Sequence, residues 1–204
     1  MFLDPQKRIE KHKDRLPHWQ QPGSTIFLTW RLADSLPTKV IEAITRRRAE
    51  WLTRHPKPWT PSVAAEYQRA FILSLEDKLD EHHGSCLLRE QGNRTIVTDA
   101  FHYFDGNRYD LDSYVVMPNH VHLLLSLRED HRIEDIVGSI KSFTSKSINK
   151  RLGKSGTLWQ RSYWDRLIRS EHHLKWTLRY ISQNPKNLPP NHYSLWAKER
   201  GPRA

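Results

Sequence analysis

The chain has 204 residues, with 33 Lys and Arg against 23 Asp and Glu for a net charge of +10, and one cysteine, Cys86. That length supports a buried core without cross-links, a single cysteine excludes an internal disulfide and suits a reducing cytoplasm, and the surplus of positive charge points to a polyanionic partner, nucleic acid ahead of an anionic membrane. No run of about 18 apolar residues exists, so no membrane span is expected, and residues 1–15 lack the apolar stretch of a secretory signal.

The first 23 residues are charged and proline-punctuated and read as an arm. Ser24 to Ala33 (STIFLTWRLA) is rich in β-branched and aromatic residues and reads as a strand. Pro37 opens a helical pattern through Val40, Ile41, Ala43 and Ile44, followed by Arg46–Arg48. After a proline-rich break at 55–62, Thr60 before Pro61 suits an N-cap. Ala64, Ala65, Gln68, Phe71, Ile72, Leu75 and Leu79 then recur at helical spacing, so residues 45–83 read as a helical elaboration on a smaller core. A short helix is expected over Arg94–Tyr103 and turn chemistry over 104–110. Tyr114–Met117 and Val121–Leu127 read as antiparallel strands about Pro118-Asn119. A helix over Ile133–Arg151 ends at Gly153 and Gly156, Trp164–Ile168 is a strand, and Glu171–Asn184 is a last helix stopped by Pro185. Residues 191–204 read as a tail. This order implies an α+β fold, an antiparallel sheet with packed helices.

Three features carry chemistry. His120 and His122 flank Val121 on a strand, so both imidazoles point to one face; two neutral imidazoles so placed can ligate a metal, and two ordinary sheet histidines would share the same spacing. Tyr180 and Asn184 are four apart and share a helical face. A tyrosine hydroxyl can act as a nucleophile and an amide oxygen suits Mg2+ or Mn2+; equally, Tyr180 could be a core aromatic and Asn184 a C-cap before Pro185. Between the two elements, Lys141 to Arg169 holds eight Lys/Arg and one acid, Asp165, interleaved with aromatics. Cations neutralise phosphates and aromatic faces stack on unpaired bases, which makes Lys141, Lys146, Trp159, Arg161, Arg166 and Arg169 candidate DNA contacts. Arg46–Arg48 is a candidate second patch. The pairs His82-His83 and His172-His173 diverge on helices and make poor ligand pairs.

The run YVVMPNHVHLLL (114–125) resembles the histidine–hydrophobe–histidine motif of the single-tyrosine HUH transposases, and residues 158–185 are similar to the second half of the REP-associated tyrosine transposases, a bacterial subgroup tied to repeated extragenic palindromes. The resemblance spans most of residues 24–190. It implies a ferredoxin-like α+β core, a divalent metal (Mg2+ or Mn2+) held by His120, His122 and Asn184, and Tyr180 as the nucleophile. It further implies cleavage and rejoining of single-stranded hairpin DNA through a 5′-phosphotyrosine, action as a monomer rather than a dimer, and a cytoplasmic, nucleoid-associated place in a bacterium. The match at 184 is asparagine where mobile relatives commonly carry glutamine, and the stretch 45–83 is longer than in compact relatives. Two other readings use the same residues: a non-catalytic hairpin-binding or regulatory protein derived from a transposase, and a hydrolytic metalloenzyme, the latter weakened by the lack of an H-E-x-x-H helix or a carboxylate cluster.

Overall fold

The structure is a computed structural model that describes residue 2 and residues 10–13, 17–21, 23–56 and 58–199. The arm expected over 1–23 and the tail expected over 191–204 lie partly outside these residues. The described residues form two compact units, one of residues 1–33 with 87–204 and one of Asp34–Cys86.

In the first unit, β1 (Glu10–Lys13) and β2 (Pro17–Gln20) pair as an antiparallel ribbon within the expected arm. The main sheet is built from β3 (Thr25–Arg31), β4 (Tyr109–Val116), β5 (His120–Leu127), β6 (Trp164–Leu167) and β7 (Ser194–Ala197). Its order is β6-β3-β5-β4-β7, and every neighbouring pair is antiparallel. Helix α4 (Gln91–Tyr103) lies between β3 and β4 in the chain, and α5 (Ile133–Leu152) lies between β5 and β6. The succession β3–α4–β4–β5–α5–β6 in that spatial order is the ferredoxin-like arrangement expected from the sequence.

Alternation along the strands divides the core in two. Ile26, Leu28 and Trp30 with Val121, Leu123 and Leu125 face one way and are covered by Val97 and Phe101 of α4 and by Ile136 and Ile140 of α5. Phe27, Val115, Met117 and Leu124 face the other way and are covered by Leu174 and Ile181 of α6 (Glu171–Gln183). The charges of α5 suit its dipole, with Glu134 and Asp135 in the first turn and Lys150 and Arg151 in the last. Gly153 follows it at φ 62°, a left-handed conformation in which glycine carries no Cβ penalty.

The second unit, Asp34–Cys86, is described by itself. It holds α1 (Thr38–Arg54), α2 (Pro61–Tyr67), a π-helical segment Gln68–Leu73 and α3 (Ser74–Leu79). The Thr60 hydroxyl accepts the Val63 amide at 3.3 Å, as its place before Pro61 suggests. Trp51 gathers the unit's aromatic rings, stacking on His55 at 4.0 Å and meeting Trp59 at 5.2 Å and Phe71 at 6.0 Å. The continuous helical spacing of the sequence hides the wider turn at 68–73.

The expected tail departs most from the sequence reading. Residues 194–197 form β7 on the free edge of β4, with Ser113 opposite Ala197 and Val116 opposite Ser194. Trp196 stacks on Tyr114 at 5.7 Å and 18°. The strand has four residues and follows Pro189-Pro190, so its period is too short to read from sequence.

Arg94 of α4 ties this segment down. It is fully buried, and its guanidinium donates to the carbonyls of Leu88 (3.0 Å), Arg89 (2.5 Å) and Asn191 (2.7 Å), to Gln91 Oε1 (2.5 Å) and to Ser194 Oγ (3.1 Å). None of these acceptors is a carboxylate, so the buried charge is held by dipoles alone. Each buried acceptor left unpaired costs about 1–3 kcal/mol. Arg94→Met, which keeps the length and removes the donors, should therefore lower the unfolding free energy by about 3 kcal/mol or more. The exposed Arg89→Met should change it by less than about 0.5 kcal/mol. Denaturant unfolding of the two variants checks this, and equal midpoints would contradict it.

Candidate active site

The site lies on the α6 face of the sheet and begins with a turn. Met117 N donates to His120 O at 2.9 Å, closing the chain between β4 and β5 around Pro118-Asn119. Two backbone amides from elsewhere fix that turn: Leu32 N to Asn119 O at 2.8 Å and Leu88 N to Pro118 O at 3.1 Å. The histidines are thus launched from a clamped corner. Val121 between them enters the opposite core, while His120 and His122 are buried on the α6 side.

Register supplies the neighbours. Thr29 lies opposite His122 on β3 and Val115 opposite it on β4. The two imidazoles are 4.9 Å apart, centroid to centroid, at 78°. His120 Nδ1 lies 2.8 Å from Asn119 Oδ1, and an amide oxygen can only accept, so this nitrogen carries the proton. His122 Nδ1 lies 2.8 Å from Thr29 Oγ1, and the ring stacks on Phe27 at 5.5 Å and 18°. Burial pushes His122 down to about 3, so the imidazole is neutral.

Helix α6 completes the arrangement. Ser170 Oγ caps its start by accepting the His173 amide at 3.2 Å. Leu174, Thr177 and Ile181 are buried, which sets the rotation of the helix and turns Tyr180 toward the sheet. The Tyr180 ring sits 5.2 Å from His122 and 6.0 Å from Phe27, edge-on to both, and stacks on Trp176 at 5.5 Å and 10°. One turn on, Asn184 is the C-cap, its amide donating to Tyr180 O at 3.0 Å.

Two polar atoms at this site are buried with no hydrogen-bond partner: His122 Nε2 and Asn184 Oδ1. Such atoms are costly to bury unmatched. Both are hard-to-borderline donors, and a divalent cation is the kind of group that would use them. The residues present therefore fit a metal, with His120 as the further donor. Among the described residues no cluster of three His, Cys, Asp or Glu side chains that could hold a metal ion occurs, so a third donor would be of another kind, such as the amide of Asn184.

The candidate DNA contacts divide. Lys146, Arg161 and Arg169 are exposed. Lys146 and Arg161 line an open groove of about 420 Å³ between α5 and residues 156–161. Arg166 lies over the Trp164 ring at 4.8 Å. Two of the expected contacts are corrected. Trp159 is only 4% exposed and packs in the core against Trp30, its Nε1 donating to Thr144 Oγ1 at 2.8 Å, so it has no free face for a base. Lys141 turns its ammonium onto the carbonyls of Gln160 (2.5 Å) and Arg161 (2.8 Å), which fastens that loop to α5 instead of leaving the charge for a phosphate. Burial also lowers its pKa to about 8. Sequence reasoning passed over Thr29, Asn119 and Trp176. Thr29 was readable from the alternation Phe27, Thr29, Arg31 along β3, whereas its pairing with His122 required the register.

Comparison with known proteins gives one family-model match and two similar solved structures. Residues 91–184, which include both histidines, Tyr180 and Asn184, match the family model described as "Transposase IS200 like". No curated protein matches. One similar solved structure is described as the REP-associated tyrosine transposase bound to a REP hairpin; it is 16% identical, over 86% of this chain and 74% of that one, with a TM-score of 0.46. Another is a candidate transposase of Deinococcus radiodurans R1, 18% identical over 90% of this chain and 98% of that one, with a TM-score of 0.37. Among the described residues no helix is long and apolar enough to cross a membrane.

Histidine 173, in the first turn of the helix that carries Tyr180, gives the site's support an acid limit. Its Nδ1 accepts the Arg169 amide at 3.3 Å, a bond that needs the neutral ring. Burial first, then Arg166, Arg169 and His172, push its pKa down to about 4. In the unfolded chain a histidine titrates near 6.5. As pH falls below that value the unfolded state takes up the proton first, so stability is lost between about pH 6.5 and 4 and levels off below. His173→Asn keeps an acceptor without the titration. The Tm difference between native protein and variant should shrink or reverse over that window, and a constant difference would contradict the assignment.

Proposed function

We propose that this chain, whose residues 91–184 match the IS200-like transposase family model, cleaves and rejoins single-stranded DNA at hairpin-forming repeated palindromes through a 5′-phosphotyrosine on Tyr180. The observation that carries the reading is the placement of the Tyr180 ring 5.2 Å from a buried, neutral His122 of the same chain. That placement also supports action as a monomer, since one chain supplies both halves of the site.

His120, His122 and Asn184 would hold Mg2+ or Mn2+. Bound there, the ion supplies a Lewis acid that polarises the scissile phosphate and offsets its charge. The protein's own residues do the rest. Asn119 and Thr29 fix the two imidazoles, the stack with Phe27 keeps His122 from rotating, and α6 holds Tyr180 over the face of the sheet. The Tyr180 oxygen forms the new bond to phosphorus as the P–O3′ bond breaks; the tyrosine loses its proton and the departing 3′-oxygen gains one. Rejoining is the reverse attack by a 3′-hydroxyl, which releases Tyr180. The phosphodiester energy is kept in the tyrosine ester, so no nucleotide cofactor is needed. The similarity of residues 158–185 to the REP-associated subgroup supports hairpin DNA as the substrate, and the +10 charge supports a polyanion in general.

Incubating labelled hairpin oligonucleotides that carry single-stranded flanks with Mg2+ or Mn2+ should yield a covalent protein–DNA adduct. Tyr180→Phe and addition of a chelator should each abolish it. Cleavage surviving Tyr180→Phe would sink the tyrosine mechanism, and no adduct with any hairpin would favour a binding-only protein. Thr29→Val tests the support of His122. Loss of an outer partner of a metal-bound histidine typically weakens metal affinity by about 10- to 100-fold. Calorimetric titration with Mn2+ should show a loss of that size, and unchanged affinity would remove Thr29 from the site.

A further inference from the structure

Four large apolar side chains are left exposed among the described residues: Tyr103, Phe143, Trp176 and Leu195. Of these, Trp176 touches the nucleophile. It lies one turn before Tyr180 on α6, and the two rings are parallel. The indole keeps 44% of its surface open. Tyr180 fixes the plane of the ring without covering it.

The surroundings are those of a nucleotide. His172 and Arg179 are exposed on the same side of α6 as Trp176, four residues before it and three after it, and Lys175 is exposed on the adjoining flank. Lys175 shares an exposed pair with Glu171 at 3.2 Å, a contact that leaves the ammonium in solvent. An open π face next to cations takes a base with its phosphates alongside, since stacking is indifferent to base identity and the charge follows the backbone. An apolar protein segment would gain the indole but leave the cations unmatched.

We propose that Trp176 is a stacking platform for an unpaired nucleobase of the strand attacked at Tyr180, with Arg179 on the neighbouring phosphate. This rests on the reading of Tyr180 given above. Trp176 is then a positioning residue. A base stacked on it sets its own phosphate beside the tyrosine, and a base still paired in a duplex cannot reach the indole. The platform thereby restricts cleavage to unpaired strand next to the hairpin.

Full-length protein carrying Tyr180→Phe, which keeps the ring and leaves DNA uncleaved, is titrated with fluorescent short oligothymidylate and with an abasic strand of equal length. Adding Trp176→Ala should weaken oligothymidylate binding about tenfold, the range expected for one stacked base, while leaving the abasic strand unaffected. Trp176→Phe should retain most of the affinity. Trp176→Leu, which preserves apolar bulk on α6, should behave like alanine. Equal losses on both strands, no loss on either, or no binding of oligothymidylate at all would each overturn the proposal. If binding follows this pattern yet no hairpin yields an adduct, the phosphotyrosine mechanism fails and the platform stands.

Discussion

The antiparallel pairing that sets Thr29 opposite His122 fixes more of this molecule than any other contact. Because strand side chains alternate, moving β5 by one residue against β3 would send His120 and His122 into the core under α4 and α5 and bring Val121 out beneath α6. The cost of such a slip is large, since it would bury two imidazoles among Ile26, Leu28 and Trp30 and expose a run of leucines. The same apolar alternation that builds the core therefore places the polar pair. The clamps on Pro118 and Asn119 reinforce the register at its end, from two segments far apart in the chain.

Once the register is set, the chemistry of the histidines follows from their partners. Each ring has its Nδ1 engaged, one by Asn119 and the other by Thr29, and His122 Nε2 is buried without a hydrogen-bond partner. Keeping His122 deeply buried has a consequence for reactivity as well as stability, because a neutral imidazole is a ligand and an imidazolium is not. Asn184 fits the same pattern. It ends α6 through its backbone and leaves its amide oxygen buried and unmatched.

The two-residue spacing of the histidines and the four-residue spacing of Tyr180 and Asn184 were legible because each is a local period, one of strand and one of helix. So was the helical character of residues 38–79, which α1, Thr60 and α2 open where the sequence places them. What the sequence did not carry is long-range or facing information. Composition marks Lys141 and Trp159 as phosphate and base contacts, but the first spends its charge on loop carbonyls and the second spends its ring in the core. Neither fate is encoded in the residues beside them. Thr29 is hidden for the same reason, since only pairing across the sheet connects it to His122. Strand β7 escapes because four residues after two prolines hold too little pattern to signal a strand, and its reason for ordering, the open edge of β4, is about eighty residues away in sequence.

Arg94 has a consequence in time. Its charge is neutralised by acceptors close by in the chain, Leu88, Arg89 and Gln91, and by two others, Asn191 and Ser194, that lie 97 and 100 residues later. A chain growing from its amino end makes α4, four of the five strands of the main sheet and the whole of α6 before the last acceptors exist. Until then the guanidinium must stay hydrated and the edge of β4 must stay open. Tyr180 and both histidines are thus synthesised ahead of the contacts that Arg94 makes with Asn191 and Ser194.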